Sequence, residues 1–141
     1  MGLSQENVVA EDRLVKQAKD AVANLKADYQ KLIMNDMAAL RELLGQLRNV
    51  DNPSDVVQRI FEITHNVKGQ AGSFGYTLVT NIGSSLCDFL RAGDHTDAKS
   101  IAIVDHHVTS LISVIEKNIE GDGGESGQKL VSKLHALYAS D

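Results

Sequence analysis

One cysteine, one proline and no tryptophan occur in a chain of 141 residues, and aromatic residues make up only 4% of it. A lone cysteine excludes a disulfide framework and a thiolate zinc site, and it suits a reducing cytoplasm. So few prolines and aromatics do not fit the turn-rich pattern of a β-sandwich or barrel. No apolar run approaches the ~18 residues of a membrane span. The opening MGLSQENVVAEDR is polar and acidic, so no signal peptide is expected, and Glu6 stands where a myristoylation signal wants Ser or Thr. With 14 basic against 19 acidic residues, the net charge of −5 disfavours nucleic acid as a partner. What is present is ordinary for a globular protein with a real core: 43% hydrophobic and 23% charged residues. These features predict a small, all-helical, cytoplasmic protein with no membrane segment.

Pro53 follows Asn52 and precedes Asp55, so a cap, a first-turn proline and a dipole-matched acid open a helix that should run to about Ser73. Before it, apolar residues recur at helical spacing from Val8 through Val15, Val22, Leu25, Tyr29, Leu32, Leu40 and Leu47. One helix over that span would be ~68 Å long, so a break is expected near Lys26–Asp28. A single long helix, or a helical pair used for dimerisation, is the alternative. Gly75 and Thr77 mark a turn and a new helix through Leu78, Ile82, Leu86 and Leu90, which stops at Ala92–Gly93–Asp94. Thr96 or Asp97 opens the next, ending at Gly121–Gly124, and a last helix runs from about Ser126 to Ala139. The organisation is therefore a helical extension over 1–27, a four-helix up-down bundle over 28–120, a glycine-rich linker over 121–125 and a C-terminal helix over 126–141.

The chemistry concentrates in the segment Ile63 to Tyr76. At about 100° per residue, Val56, Ile60, Ile63, Val67, Ala71 and Phe74 gather on one side as the core stripe. His65 points the other way, and Glu62, Gly69 and Gly72 share its face, with Phe61 and Lys68 on a flank. A glycine inside a helix costs about 0.5–1 kcal/mol against alanine, so two of them on the outer face leave room for close approach. Lys68 can swing its ammonium beside the imidazole and neutralise charge on a group attached to the ring. A neutral imidazole nitrogen is a competent nucleophile, whereas an alcohol would need an adjacent base. Phe61, one turn earlier, offers an apolar contact for a docking partner. The plain alternative is a solvated surface histidine, and the glycine pair with Lys68 weighs against it.

The run His65-x-x-Lys68-Gly69-x-x-Gly72-x-Phe74-Gly75, continued by Leu78, Ile82, Leu86 and Leu90, resembles the signature of histidine-containing phosphotransfer (HPt) domains. The resemblance covers roughly residues 28 to 120. It implies a four-helix bundle whose exposed His65 carries a phosphoryl group between aspartates of response-regulator receiver domains. It further implies that Lys68 steadies the phosphoryl, while Gly69 and Gly72 admit the receiver's loops and Phe61 and Glu62 line the docking face. The family holds no metal of its own, and the Mg²⁺ for transfer is expected on the receiver. The motif is also close to the phosphorylated N-terminal domain of chemotaxis histidine kinases. Those domains, and many relay proteins, place Glu or Gln 22 residues after the histidine to bond the ring; here that position is Cys87, a weak donor and a candidate for ring contact.

The departure at Cys87 favours a relay between receivers, phosphorylated upstream by a sensor or hybrid kinase. A phosphoacceptor fed directly by a chemotaxis-type kinase, and a catalytically silent adaptor or dimerisation module, are the rivals. No ATP-binding glycine motif is present, so the chain reads as a phosphoryl carrier without its own ATP or hydrolytic site. A monomer is expected, with a dimer through the N-terminal helix as the alternative. Asp105, His106, His107 and His95 could suggest a metal, but neighbours on a helix diverge by about 100°, so surface or boundary histidines are the better reading. His135 is read the same way, and Gly83 marks a close helix–helix approach.

Overall fold

The computed structural model describes residues 5–139. Five helices and no strand occur among them: α1 (Gln5–Leu47), α2 (Ser54–Ser73), α3 (Thr77–Arg91), α4 (Ala98–Glu116) and α5 (Gly124–Ala139). The break expected near Lys26–Asp28 is absent, and α1 is one helix of 43 residues. Nothing in it stops a helix, because no proline or glycine occurs between Gln5 and Leu44. The additional N-terminal helix is thus the first part of α1, and the bundle takes its first helix from the last part.

The chain divides into two compact units between Asn35 and Asp36. The first is helix throughout its described length and leaves Val8, Val15, Val22, Leu25 and Leu32 exposed. The second holds an apolar core of Met37, Leu40 and Leu44 from α1, Ile60, Val67 and Ala71 from α2, Ile82 and Leu86 from α3, and Val104, Val108 and Leu111 from α4. Connections of a few residues make successive helices antiparallel neighbours, as in an up-down bundle. Across the bundle, Arg41 pairs with Glu116 and Arg48 with Asp105, so α1 and α4 also run antiparallel. α3 is the central element, packed against α2, α4 and α5.

Local chemistry sets the helix ends. The Asn52 side chain accepts from the Ser54 N–H at 3.1 Å, and Pro53 is the N-cap of α2. Asp97 caps α4 by accepting from the Ser100 N–H at 2.8 Å, and the Ser100 side chain together with that N–H holds its carboxyl below the usual range. Between α2 and α3, Gly75 takes φ +83°, a left-handed conformation that a side chain would strain. Its carbonyl accepts from Gly121 N–H at 2.7 Å, while Gly121's carbonyl accepts from Leu78 N–H at 2.8 Å. The glycine-rich stretch expected as a linker is therefore bonded on both sides to the α2–α3 turn.

Two packing details govern the bundle. A Cβ placed on Gly83 of α3 would meet the Lys68 Cβ of α2 at 2.8 Å, which confirms the close approach expected there. Thr80 strengthens the same seam by donating to the Lys68 carbonyl at 2.9 Å. On the other side of α3, His107 is fully buried, which corrects its reading as a surface or boundary residue. Its Nδ1–H donates to the Ile103 carbonyl at 2.8 Å, so Nε2 is the acceptor for the Ser85 hydroxyl at 2.9 Å. The Tyr138 hydroxyl donates to the Ser85 carbonyl at 2.9 Å and fastens α5 to this pair. Burial pushes the His107 pKa below its ordinary value of 6.5, with His106 and His135 adding to the effect against the Ile103 bond.

Gly83→Ala is expected to destabilise the protein by about 1–3 kcal/mol, because the clash is with a Cβ that moves only with its helix. Denaturant titration measures this, and unchanged stability would show that α2 and α3 are not in close contact. The unfolded chain takes up a proton on His107 near pH 6.5 while the folded protein resists it until lower pH. The stability held above pH 6.5 should therefore be lost as the pH falls from 6.5 through the lowered folded value. Equilibrium unfolding of wild type and His107→Gln between pH 7.5 and 5 checks this, since the variant should show a shallower loss.

Candidate functional site

The core stripe of α2 determines what faces outward. Val56, Ile60, Val67 and Ala71 are buried, and Thr64 is buried between them, whereas Ile63 and Phe74 are only half-buried. His65, next to the buried Thr64, is exposed in the middle of the helix. One turn earlier, Phe61 stacks on its ring, with centroids 6.0 Å apart and planes 17° from parallel. The aromatic face restricts how the imidazole can swing and leaves one edge of it open.

Arg91, the last residue of α3, closes the other edge. Its guanidinium lies over the Phe61 ring, with Cζ 5.4 Å from the centroid, and Nη2 is 3.4 Å from His65 Nδ1. Asp88, one turn before it, steadies the guanidinium at 3.8 Å. A guanidinium has donors and no acceptor, so the neutral ring in this contact accepts at Nδ1 and carries its proton on Nε2. The Nε2 atom has no hydrogen-bond partner among the described residues.

The remaining expected site residues lie in different surroundings. Lys68 lies on the next turn of α2, half-buried at its base by the Gly83 seam, and makes no ion pair among the described residues. Glu62 is exposed beside His65 and accepts from the Gln58 amide at 3.4 Å. A Cβ on Gly69 would meet nothing within 4 Å, so this glycine opens onto free space. A Cβ on Gly72 would come 3.3 Å from Thr80 Oγ1, so this glycine also makes room for α3. Cys87 is fully buried and burial raises its thiol pKa, against the pull of Lys68 and Arg91. No hydrogen bond joins it to His65. It belongs to the inward stripe of α3, and a short side chain there does not reach the outer face of α2.

Arg91 is the residue that sequence reasoning missed. It stands one turn after Cys87 on α3, and only a side chain as long as arginine spans the distance from the helix end to the ring. A basic residue in the last turn of a helix reads first as a complement to the helix dipole, which masked it. Beside Phe61 and Arg91, a groove of about 370 Å³ continues along Val57, Gln58 and Leu90 to His95. Among the described residues, no three His, Cys, Asp or Glu side chains are grouped to hold a metal ion.

The family model of the Hpt domain matches residues 24–117, which include every residue of this site. The chain belongs to the Hpt domain family. Hpt domains act in two-component phosphorelays through a phosphohistidine and interact with response regulators and histidine kinases. Comparison with curated proteins and with solved structures returned no match. The Hpt match begins within α1 at residue 24, so the family's first helix is continuous with residues that precede it.

The Arg91 contact should show in the tautomer of His65. Imidazole ¹⁵N NMR of wild type is expected to show Nε2–H as the dominant neutral form, and Arg91→Ala should shift the ratio by about two- to five-fold, the worth of one modest hydrogen bond. An unchanged ratio would remove Arg91 from the ring's environment.

Proposed function

We propose that this Hpt protein relays a phosphoryl group between aspartates of response-regulator receiver domains, carried on His65. The observation that carries the reading is the exposed mid-helix imidazole, flanked by Arg91 and Lys68, beside a glycine that opens onto free space. The attacking atom is Nε2, since Nδ1 faces the guanidinium. The ring exchanges its Nε2 proton for one on Nδ1 through solvent, Arg91 gives up its contact at Nδ1, and the lone pair on Nε2 attacks phosphorus. The bond from phosphorus to the aspartate oxygen breaks, and the carboxylate leaves with the electron pair. The ring then loses its Nδ1 proton to solvent, and Nδ1 becomes an acceptor suited to Arg91. The return transfer runs these steps backwards to a second receiver.

Lys68 is assigned to the phosphoryl oxygens, whose charge is what such transfers must neutralise. Phe61, Glu62, Gly69 and Gly72 are assigned to the docking face, and the Mg²⁺ used in transfer to the receiver. A sensor or hybrid kinase would then act upstream, in the cytoplasm.

The test is phosphoryl transfer from phosphorylated receiver domains, scored as an acid-labile, base-stable label. Wild type should label and His65→Gln should not, with both folded by circular dichroism. Retained label in the variant would sink the site, and label only from a kinase domain with ATP would favour the kinase-fed alternative. Lys68→Ala should still label but at least ten-fold more slowly, the order of one charge-assisted contact worth about 1.5–3 kcal/mol in the transition state.

A further inference from the structure

The apolar stripe of α1 up to Asn35 has no role in the phosphoryl site. Val8, Val15 and Val22 repeat every seven residues, and Ala18, Leu25 and Leu32 repeat every seven residues three positions later. These are the a and d positions of a coiled-coil heptad. In the structure the five large residues of the set are 42%, 52%, 62%, 59% and 58% exposed, for Val8, Val15, Val22, Leu25 and Leu32 in turn. An amphipathic helix draws most of its stability from packing that face, and this stretch offers the face to solvent.

Charge along the same stretch indicates what covers it. Residues 5–15 carry Glu6, Glu11 and Asp12 against Arg13 alone, whereas residues 16–31 carry Lys16, Lys19, Lys26 and Lys31 against Asp20 and Asp28. One end of the helix is acidic and the other basic, so a second copy laid head to tail sets opposite charges side by side. The helix dipoles also oppose in that arrangement.

We infer that residues 8–32 of α1 pair with the same residues of a second chain as an antiparallel two-stranded coiled coil. In the register where a positions face d positions, Val15 packs on Leu25 of the second copy, Val22 on Ala18, and Val8 on Leu32. The interface is isologous, so each contact occurs twice about a two-fold axis. A parallel pair in register would set Glu11, an acid at a d position, against another Glu11, which the antiparallel pair avoids; Tyr29, the a position after Val22, is buried within its own chain and takes no part in the seam. The choice of orientation therefore rests on charge as well as on packing.

The whole 141-residue chain tests this. Sedimentation equilibrium should give twice the 15.3 kDa of one chain at high concentration, with dissociation favoured by added salt. The double variant Val15→Glu, Leu25→Glu should run at the mass of one chain. Because those changes could also fray the helix, orientation is read separately by cross-linking. Val8→Cys mixed with Leu32→Cys should form a mixed disulfide on oxidation, while each variant alone should not; Cys87 is buried and does not compete. A monomer at all concentrations, a dimer untouched by the double variant, or same-position cross-links would each overturn the proposal.

Discussion

At the level of Gly83, α2 and α3 lie so close that a methyl group on α3 would fall 2.8 Å from the Lys68 Cβ. The rest of the site depends on that approach. It fixes the rotation of α2 about its axis, because Thr64 and Val67 must face inward for the two backbones to meet. His65 follows on the outer face as a geometric consequence. It also brings the end of α3 near enough for Arg91 to reach the imidazole and lie over Phe61. One missing side chain thus places a nucleophile candidate, a cation and an aromatic wall together. Thr80, hydrogen-bonded to the Lys68 carbonyl, holds the seam in register where Gly72 leaves space for it.

The opposite side of α3 is secured by different physics. His107, Ser85 and Tyr138 form a hydrogen-bonded chain in which each polar atom has a partner, so burying an imidazole costs little as long as it stays neutral. α5 runs parallel to α3, since Leu78 neighbours the Gly123–Gly127 region and Ser85 neighbours Tyr138. The Gly121 hydrogen bonds to Gly75 and Leu78 tie the start of that helix to the turn that ends α2. α2, which carries His65, is therefore braced at its C-terminal end by a segment that composition alone marks as loose.

The ring's immediate partner distinguishes this Hpt domain from the pattern its motif resembles. An acceptor at Nδ1 holds a proton there and leaves Nε2 as the nucleophile, whereas a guanidinium donor favours the opposite tautomer in the resting ring. The same donor suits a ring that has taken a phosphoryl group on Nε2 and lost its Nδ1 proton.

How much of this was legible in the sequence differs from residue to residue. The helical class, the outward aim of His65 and the Gly83 approach follow from periodicity and from the energetic cost of glycine in a helix, both of which are local. The unity of α1 was open, because good helix formers across Lys26–Asp28 permit either a turn or continuity. Arg91, the burial of His107 and the anchoring of Gly121 were out of reach, since each involves residues far apart in the chain. The type and facing of each helix were written in the amino-acid sequence through 3.6-residue spacing. Only the tertiary structure decided which side chain meets His65 Nδ1, because that depends on how far α3 slides along α2, a displacement that no local spacing records.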